Sequence, residues 1–227
     1  VSRGFLQVYL GAAPGVGKTF SMLEEGRRLR QQGHDVVIGL VETHGREATA
    51  ELAEGFEQAA RVRVTHRSVE LGELDVDALT ARRPEWALID ELAHSNPPGL
   101  LHEKRWQDVD TLLEAGISVI STVNVQHIES LNDVVRAITG VPQRETIPDS
   151  VLRAADQVEL VDLAPDALRD RLARGLVYPS MTIDAALSNY FRVGNLTALR
   201  ELALLWLADD VDVALQAYRD EHGIRGR

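Results

Sequence analysis

The sequence predicts an α/β chain built on a mostly parallel sheet flanked by helices, and three observations lead there. Short β-branched runs alternate with amphipathic stretches along most of the chain. Several of these runs are almost continuously apolar, as strands buried on both faces must be. Helical runs end at Gly33 and Gly116, each just before a strand, where a left-handed cap turns the chain back toward the sheet.

Taken in order, the strands are read in "LQVYL", "DVVIGLVE", "RVRVTH", "WALID", "GISVISTV" and "QVELVDL". Helical periodicity is expected over Lys18 to Gln31, Arg105 to Glu114, Gln126 to Ile138 and Asn195 to Tyr218. After "GVPQRETIPDS" one more strand–helix unit runs to about Gly175, followed by "VYPSMT" and two helices. Residues 1–175 are therefore read as the α/β domain. Residues 176–227 are read as a C-terminal helical appendage whose last residues, "GIRGR", begin a linker. No internal repeat or low-complexity tract is present.

Composition narrows the function classes. The 227 residues are 44% hydrophobic and 26% charged, the balance of a chain with a buried core. A net charge of −11 opposes the phosphate-backbone contacts of nucleic-acid binding and disfavours anionic membrane, so neither partner is expected. No window is long and apolar enough for a membrane span and no signal-peptide pattern opens the chain, so a cytoplasmic location is expected. The absence of cysteine removes disulfides, thiolate metal sites and thiol catalysis.

The chemistry concentrates in "GAAPGVGKT", Gly11 to Thr19, between an apolar strand and a helix. Gly17, Lys18 and Thr19 fit the end of the phosphate-loop pattern, while Ala12 occupies its first glycine and Gly11 sits one place early. Gly15 and Gly17 let the backbone from Ala13 through Pro14, Val16 and on to Phe20 fold into a nest of N–H donors at a helix N-terminus. Lys18 is expected to span the β- and γ-phosphates of ATP, and the Thr19 hydroxyl to ligate Mg²⁺. The sheet is accordingly expected to be P-loop NTPase-like.

"WALIDE" supplies the second half. Asp90 ends an apolar strand as a Walker B aspartate does, facing the Mg²⁺ shell, and Glu91 is placed to act as a general base. The next strand ends in Thr122, Asn124 and His127. Thr122 is the first choice to sense the γ-phosphate; Asn124 is read as a helix cap and His127 as a solvated first-turn residue. "VETHGRE" offers Glu42, Thr43, His44 and Arg46 at the same edge, with Arg46 able to contact the γ-phosphate or an acceptor, or simply to precede a helix opened by Glu47. "HSNPPGLLHEKRWQDV" is a long loop of the kind that forms a lid or docking surface, in which Lys104 and Arg105 could reach phosphate but are read first as a solvated helix start. The histidines lack metal-ligand spacing, so no zinc or iron site is expected.

With "GAAPGVGKT", "VETHGR", "DELAHSNPPG", "TVNVQHIESLNDVV" and "GNLTALRELAL" in this order, the chain resembles the N-terminal cytoplasmic domain of the KdpD family, the sensor histidine kinases of bacterial potassium uptake. The resemblance runs from about Phe5 to Val211. It implies a regulatory ATP-binding domain of an inner-membrane sensor kinase, lying ahead of a universal-stress-like domain, membrane helices and a histidine-kinase core. It also implies those downstream domains and components of the potassium-uptake system as partners. No H-box or kinase ATP lid occurs in this chain, so histidine autophosphorylation is not expected of it. Two strings depart from the family: "PGLLHEKR" stands where relatives carry "PGSRHPKR", and "LWLADD" where they are basic. The first weakens the case for a lid arginine; the second makes the last helix more apolar. Sensing of Mg-ATP is favoured over the alternative, an ATPase or protein serine/threonine phosphotransferase with Glu91 as base and Arg46 stabilising charge. An empty docking scaffold is disfavoured by Lys18 and the Asp90–Glu91 pair.

Overall fold

The structure is a computed structural model that describes residues 2–43, 45–66, 69–177 and 183–222. Its strands are β1 (Leu6–Gly11), β2 (Val36–Leu40), β3 (Glu57–Gln58), β4 (Arg61–His66), β5 (Val69–Leu74), β6 (Trp86–Ile89), β7 (Ser118–Asn124) and β8 (Gln157–Val161). The helices are α1 (Lys18–Gln31), α2 (Glu47–Ala53), α3 (Val76–Arg82), α4 (Arg105–Glu114), α5 (Asn132–Thr139), α6 (Asp149–Arg153), α7 (Pro165–Ala173), α8 (Ile183–Ser188) and α9 (Val193–Glu221).

Six strands form one sheet in the order β3-β2-β6-β7-β1-β8, and every neighbouring pair is parallel. The expected α/β class with a parallel sheet flanked by helices is borne out. All residues of β1 and of β2 are buried, which accounts for the apolar run of β2 and for that of β1, broken only by Gln7, whose side chain donates to Glu159 at 2.8 Å. Because the strands run together, their carboxyl ends share one edge. Register aligns Gly11 with Asn124 across β1 and β7, and Ile89 with Ser121 across β6 and β7, so the residues that follow these strands emerge side by side. Gly33 and Gly116 have φ of 95° and 85°, the left-handed turns expected of them.

Two elements differ from the expectation. "RVRVTH" is a strand, but it pairs antiparallel with β5 in a separate hairpin. Its Arg/Val alternation leaves Arg61 and Arg63 exposed and the valines half-buried, a pattern that suits a one-sided ribbon and not a strand covered on both faces. The helix expected over Gln126 to Ile138 breaks into 3₁₀ turns at Val125–His127 and Glu129–Leu131 before α5. The cause is competition for backbone partners. Ile147 accepts from Glu129 N–H at 3.0 Å and donates to the His127 carbonyl at 2.8 Å, which takes these groups out of an α-helical ladder.

The main core joins β1, β6 and β7 to α4, α5 and α9. Leu199, Ala203 and Trp206 of α9 are buried in it, and the Trp206 indole N–H donates to Asp149 at 3.1 Å. A second cluster packs α1 and α2 on the other face. A third lies beneath the glycine-rich loop, where Ala13 and Val16 meet Leu168, Leu172, Val177, Phe191 and Leu196. Among the described residues no helix is long and apolar enough to cross a membrane. "VYPSMT" lies largely, and "GIRGR" wholly, outside the described residues, as does His44.

Candidate functional site

The site grows from the loop between β1 and α1. Gly15 and Gly17 adopt φ of 88° and 114°, a conformation glycine reaches without steric cost, and Gly17 caps the N-terminus of α1. Gly11 matters for a different reason: a Cβ there would stand 2.7 Å from Val16 Cγ2 and 2.8 Å from Lys18 Cδ. The aliphatic stem of Lys18 thus lies against Gly11. The glycine one place early is the one the close approach requires.

Lys18 is 9% exposed and turns its ammonium into a cleft of about 430 Å³. Pro14, Gly15, Thr19, Arg46, Asp90, Glu91, Thr122 and Asn124 line the cleft with it. Burial, reinforced by the Arg46 charge, lowers the Lys18 pKa to about 8, although Asp90 and Glu91 pull the other way. Arg46 immediately precedes α2, which Glu47 does open, and its Nε is buried without a hydrogen-bond partner. Two cations that repel one another at a cleft floor favour an anion between them.

Asp90 sits just past β6, 2% exposed, and burial raises its pKa against the hydrogen bonds it accepts from Thr122 and Thr19. The Thr19 hydroxyl lies 2.9 Å from Asp90 Oδ2. Thr122 Oγ1 donates to Asp90 Oδ1 and accepts from Glu91 N–H at 3.1 Å. Glu91 has φ of 58°, a left-handed backbone that costs a residue with a side chain about 1–2 kcal/mol. Such strain persists where packing over-determines it, and here it turns the chain at the cleft rim.

Ala13 and Val16 are buried beneath the loop, Gly17 caps the helix, and Phe20 is 38% exposed on the first turn of α1. None of these four lines the cleft with a side chain, so any part they take is through backbone groups or at the rim.

A family model described as KdpD, the osmosensitive K+ channel His kinase sensor domain, matches residues 2–211. The chain belongs to this family. It is 61% identical over 222 residues to the Sensor protein KdpD of Mycobacterium tuberculosis, covering 98% of this chain and 26% of that protein. The Rathayibacter rathayi Sensor protein KdpD is 62% identical over 219 residues, 96% of this chain and 26% of the relative. That of Escherichia coli K12 is 55% identical over 221 residues, 97% and 25%. The chain spans about a quarter of the length of these relatives.

Within this KdpD sensor domain several polar residues stand elsewhere than the sequence suggested. Asn124 holds the N-cap position of the 3₁₀ turn that follows it, but its side chain makes no cap hydrogen bond; its Oδ1 accepts from Lys18 Nζ. His127 is half-buried and not fully solvated. It lines the cleft with one ring nitrogen 2.8 Å from the Glu145 carbonyl oxygen, and burial lowers its pKa. Arg105 is not a solvated helix start either. It is 2% exposed, donates to the Asp90 carbonyl at 3.1 Å and pairs with Glu73 at 2.9 Å. Burial alone would raise the Glu73 pKa, but hydrogen bonds and charge from His94 and Arg105 hold it low.

The long loop after β6 is pinned at both ends. Lys104 Nζ donates to Ser95 Oγ at 2.7 Å, and Asn96 and His102 both bond to Asp108 of α4. Sequence reading missed Glu73, Gln126 and Glu145 altogether. The register of β1 against β7, had it been known, would have drawn attention to Asn124.

Proposed function

We propose that this domain binds Mg-ATP in the cleft and that nucleotide occupancy is its signal. The arrangement of Gly15, Gly17, Lys18 and Thr19 at the start of α1, with the Thr19 hydroxyl on Asp90, carries the reading: it has the form of a P-loop facing a Walker B aspartate. Lys18 and Arg46 would meet the phosphates. The donor set suits magnesium, since a hydroxyl and a carboxylate are hard oxygen ligands. Thr19 and Asp90 would hold that ion, and its charge would neutralise the phosphate oxygens.

In a KdpD-type sensor histidine kinase responsive to potassium, such a domain would lie on the cytoplasmic side and bias the balance between kinase and phosphatase of the downstream core. The universal-stress-like and histidine-kinase domains of the full-length chain, and components of the potassium-uptake system, would be its partners.

A second reading, hydrolysis or phosphoryl transfer, is favoured by one observation. Glu91 occupies a strained backbone at the cleft, and strained carboxylates are common where a base must be aimed. Following the γ-phosphate of labelled Mg-ATP on this chain, with Lys18→Ala as control, tests both. Label retained on bound ATP supports the sensor; label released to water or moved to a protein supports the enzyme. No label bound to the wild type overturns the site.

A further inference from the structure

We propose that Asn124 is the residue that distinguishes a nucleoside triphosphate from a diphosphate, and that the Gln126–Tyr190 contact passes this distinction to α9. The inference rests on the nucleotide reading above and adds to it a discriminating group and a route.

Thr122 is an unsuitable discriminator because its hydroxyl is spent. It is 1% exposed, donates to Asp90 and accepts from Glu91 N–H. It positions Asp90. Asn124, two residues on, is half-buried, stands at the carboxyl end of the same central strand and already holds the Lys18 ammonium. A carboxamide offers an acceptor and a two-proton donor together. It can therefore release or share Lys18 and donate to a terminal phosphate oxygen in the same rearrangement. A diphosphate leaves that arrangement as it is.

A backbone shift of Asn124 that accompanies this rearrangement would carry with it the 3₁₀ turn Val125–His127, which follows directly. Val125 is fully buried in this turn, so the segment shifts as a packed unit and does not flex freely. Gln126, 8% exposed, accepts from the Tyr190 hydroxyl through Oε1 and donates to Gln143 through Nε2 at 3.2 Å. Tyr190 lies in the short link between α8 and α9 and packs against both the main core and the cluster beneath the glycine-rich loop. Its neighbour Phe191 is 2% exposed in that cluster with Ala13 and Val16 of the loop. Asn195 of α9 donates to the Asn189 and Tyr190 carbonyls at 3.1 and 3.4 Å. The link into α9 and the first turn of that helix thus join two segments that border the cleft: the glycine-rich loop through Phe191 and Leu196, and the 3₁₀ turn after β7 through Tyr190.

Calorimetry on the 227-residue chain with Mg-ADP and a non-hydrolysable Mg-ATP analogue tests the discriminator. The wild type is expected to prefer the triphosphate by about tenfold, and Asn124→Ala to reduce that preference, read as the ratio of the two affinities, to about twofold. Retained preference in Asn124→Ala, or none in the wild type, overturns the inference alone; the absence of any nucleotide binding overturns the site reading beneath it. The route is tested by hydrogen exchange over α9 in Tyr190→Phe, which removes one hydroxyl. Nucleotide-dependent protection of α9 should be present in the wild type and lost in Tyr190→Phe with the affinity preference intact. Protection that still responds in Tyr190→Phe contradicts the route.

Discussion

Lys18 and Asn124, 106 residues apart in sequence, meet at the carboxyl edge of the sheet, where the Lys18 ammonium donates to the Asn124 side-chain oxygen. The contact ties the first turn of α1 to the end of β7. It gives a buried cation a neutral partner, in a cleft whose second cation, Arg46, depresses its pKa further.

That depression sets a pH dependence. With a folded pKa of about 8 against 10.5 for an ordinary lysine, the unfolded chain binds more protons between those values. Stability of the ligand-free chain should therefore rise with pH through this window, because below about pH 8 the buried charge must be kept in both states. An anion raises the Lys18 pKa again. Nucleotide binding at pH 8–9 should accordingly take up a proton, seen as a dependence of the observed heat on buffer ionisation enthalpy; Lys18→Met abolishes the dependence.

Gly11→Ala should damage binding more than folding. The added methyl would press on Val16 Cγ2 at 2.7 Å and on the Lys18 stem at 2.8 Å, and the side chain of Lys18 is the partner able to yield. A displaced ammonium loses phosphate contact, so nucleotide affinity should fall by tenfold or more, an order-of-magnitude expectation for a charge-assisted hydrogen bond. Titration of the variant beside a thermal melt separates the two effects.

Arg105→Ala should destabilise the domain strongly. The side chains of Arg105 and Glu73 are 3% and 6% exposed, and truncating the Arg105 side chain leaves the buried Glu73 carboxylate only partly compensated, by His94, at a cost of about 3 kcal/mol, the low end for a broken buried pair. A melting temperature lowered by roughly 10 °C is expected. Because Arg105 also donates to the Asp90 carbonyl, the residual folded protein should bind nucleotide more weakly.

Glu91→Gln separates sensing from chemistry. The amide keeps the shape but cannot take a proton, so nucleotide should bind with little change and any hydrolysis should cease. Phosphate release at the wild-type rate would exclude Glu91 as a base.

Much of this layout was legible in the sequence, and the reasons are local. The apolar run before Gly11, the glycines of the loop and the periodicity from Lys18 to Gln31 all report on neighbours within a few residues. The helix begins and ends where that periodicity places it. "WALIDE" was equally plain, because a strand that ends in a carboxylate needs only its own residues to be recognised. What was hidden depends on contacts between distant segments. Asn124 reads as a helix cap until Lys18 is placed beside it, and Arg105 reads as solvated until Glu73 arrives from the hairpin, 32 residues earlier. The break in the helix after Asn124 is set by Ile147, which no window around Gln126 contains. "RVRVTH" has the composition of a strand whichever sheet it joins.

On the function proposed, Lys18 and its loop hold the phosphates of ATP. Equilibrium titration of Mg-ATP into the wild type and Lys18→Ala, each checked by circular dichroism, tests it most directly. Saturable binding by the wild type and none by an equally folded Lys18→Ala is the result expected. Equal affinity in the two would contradict it.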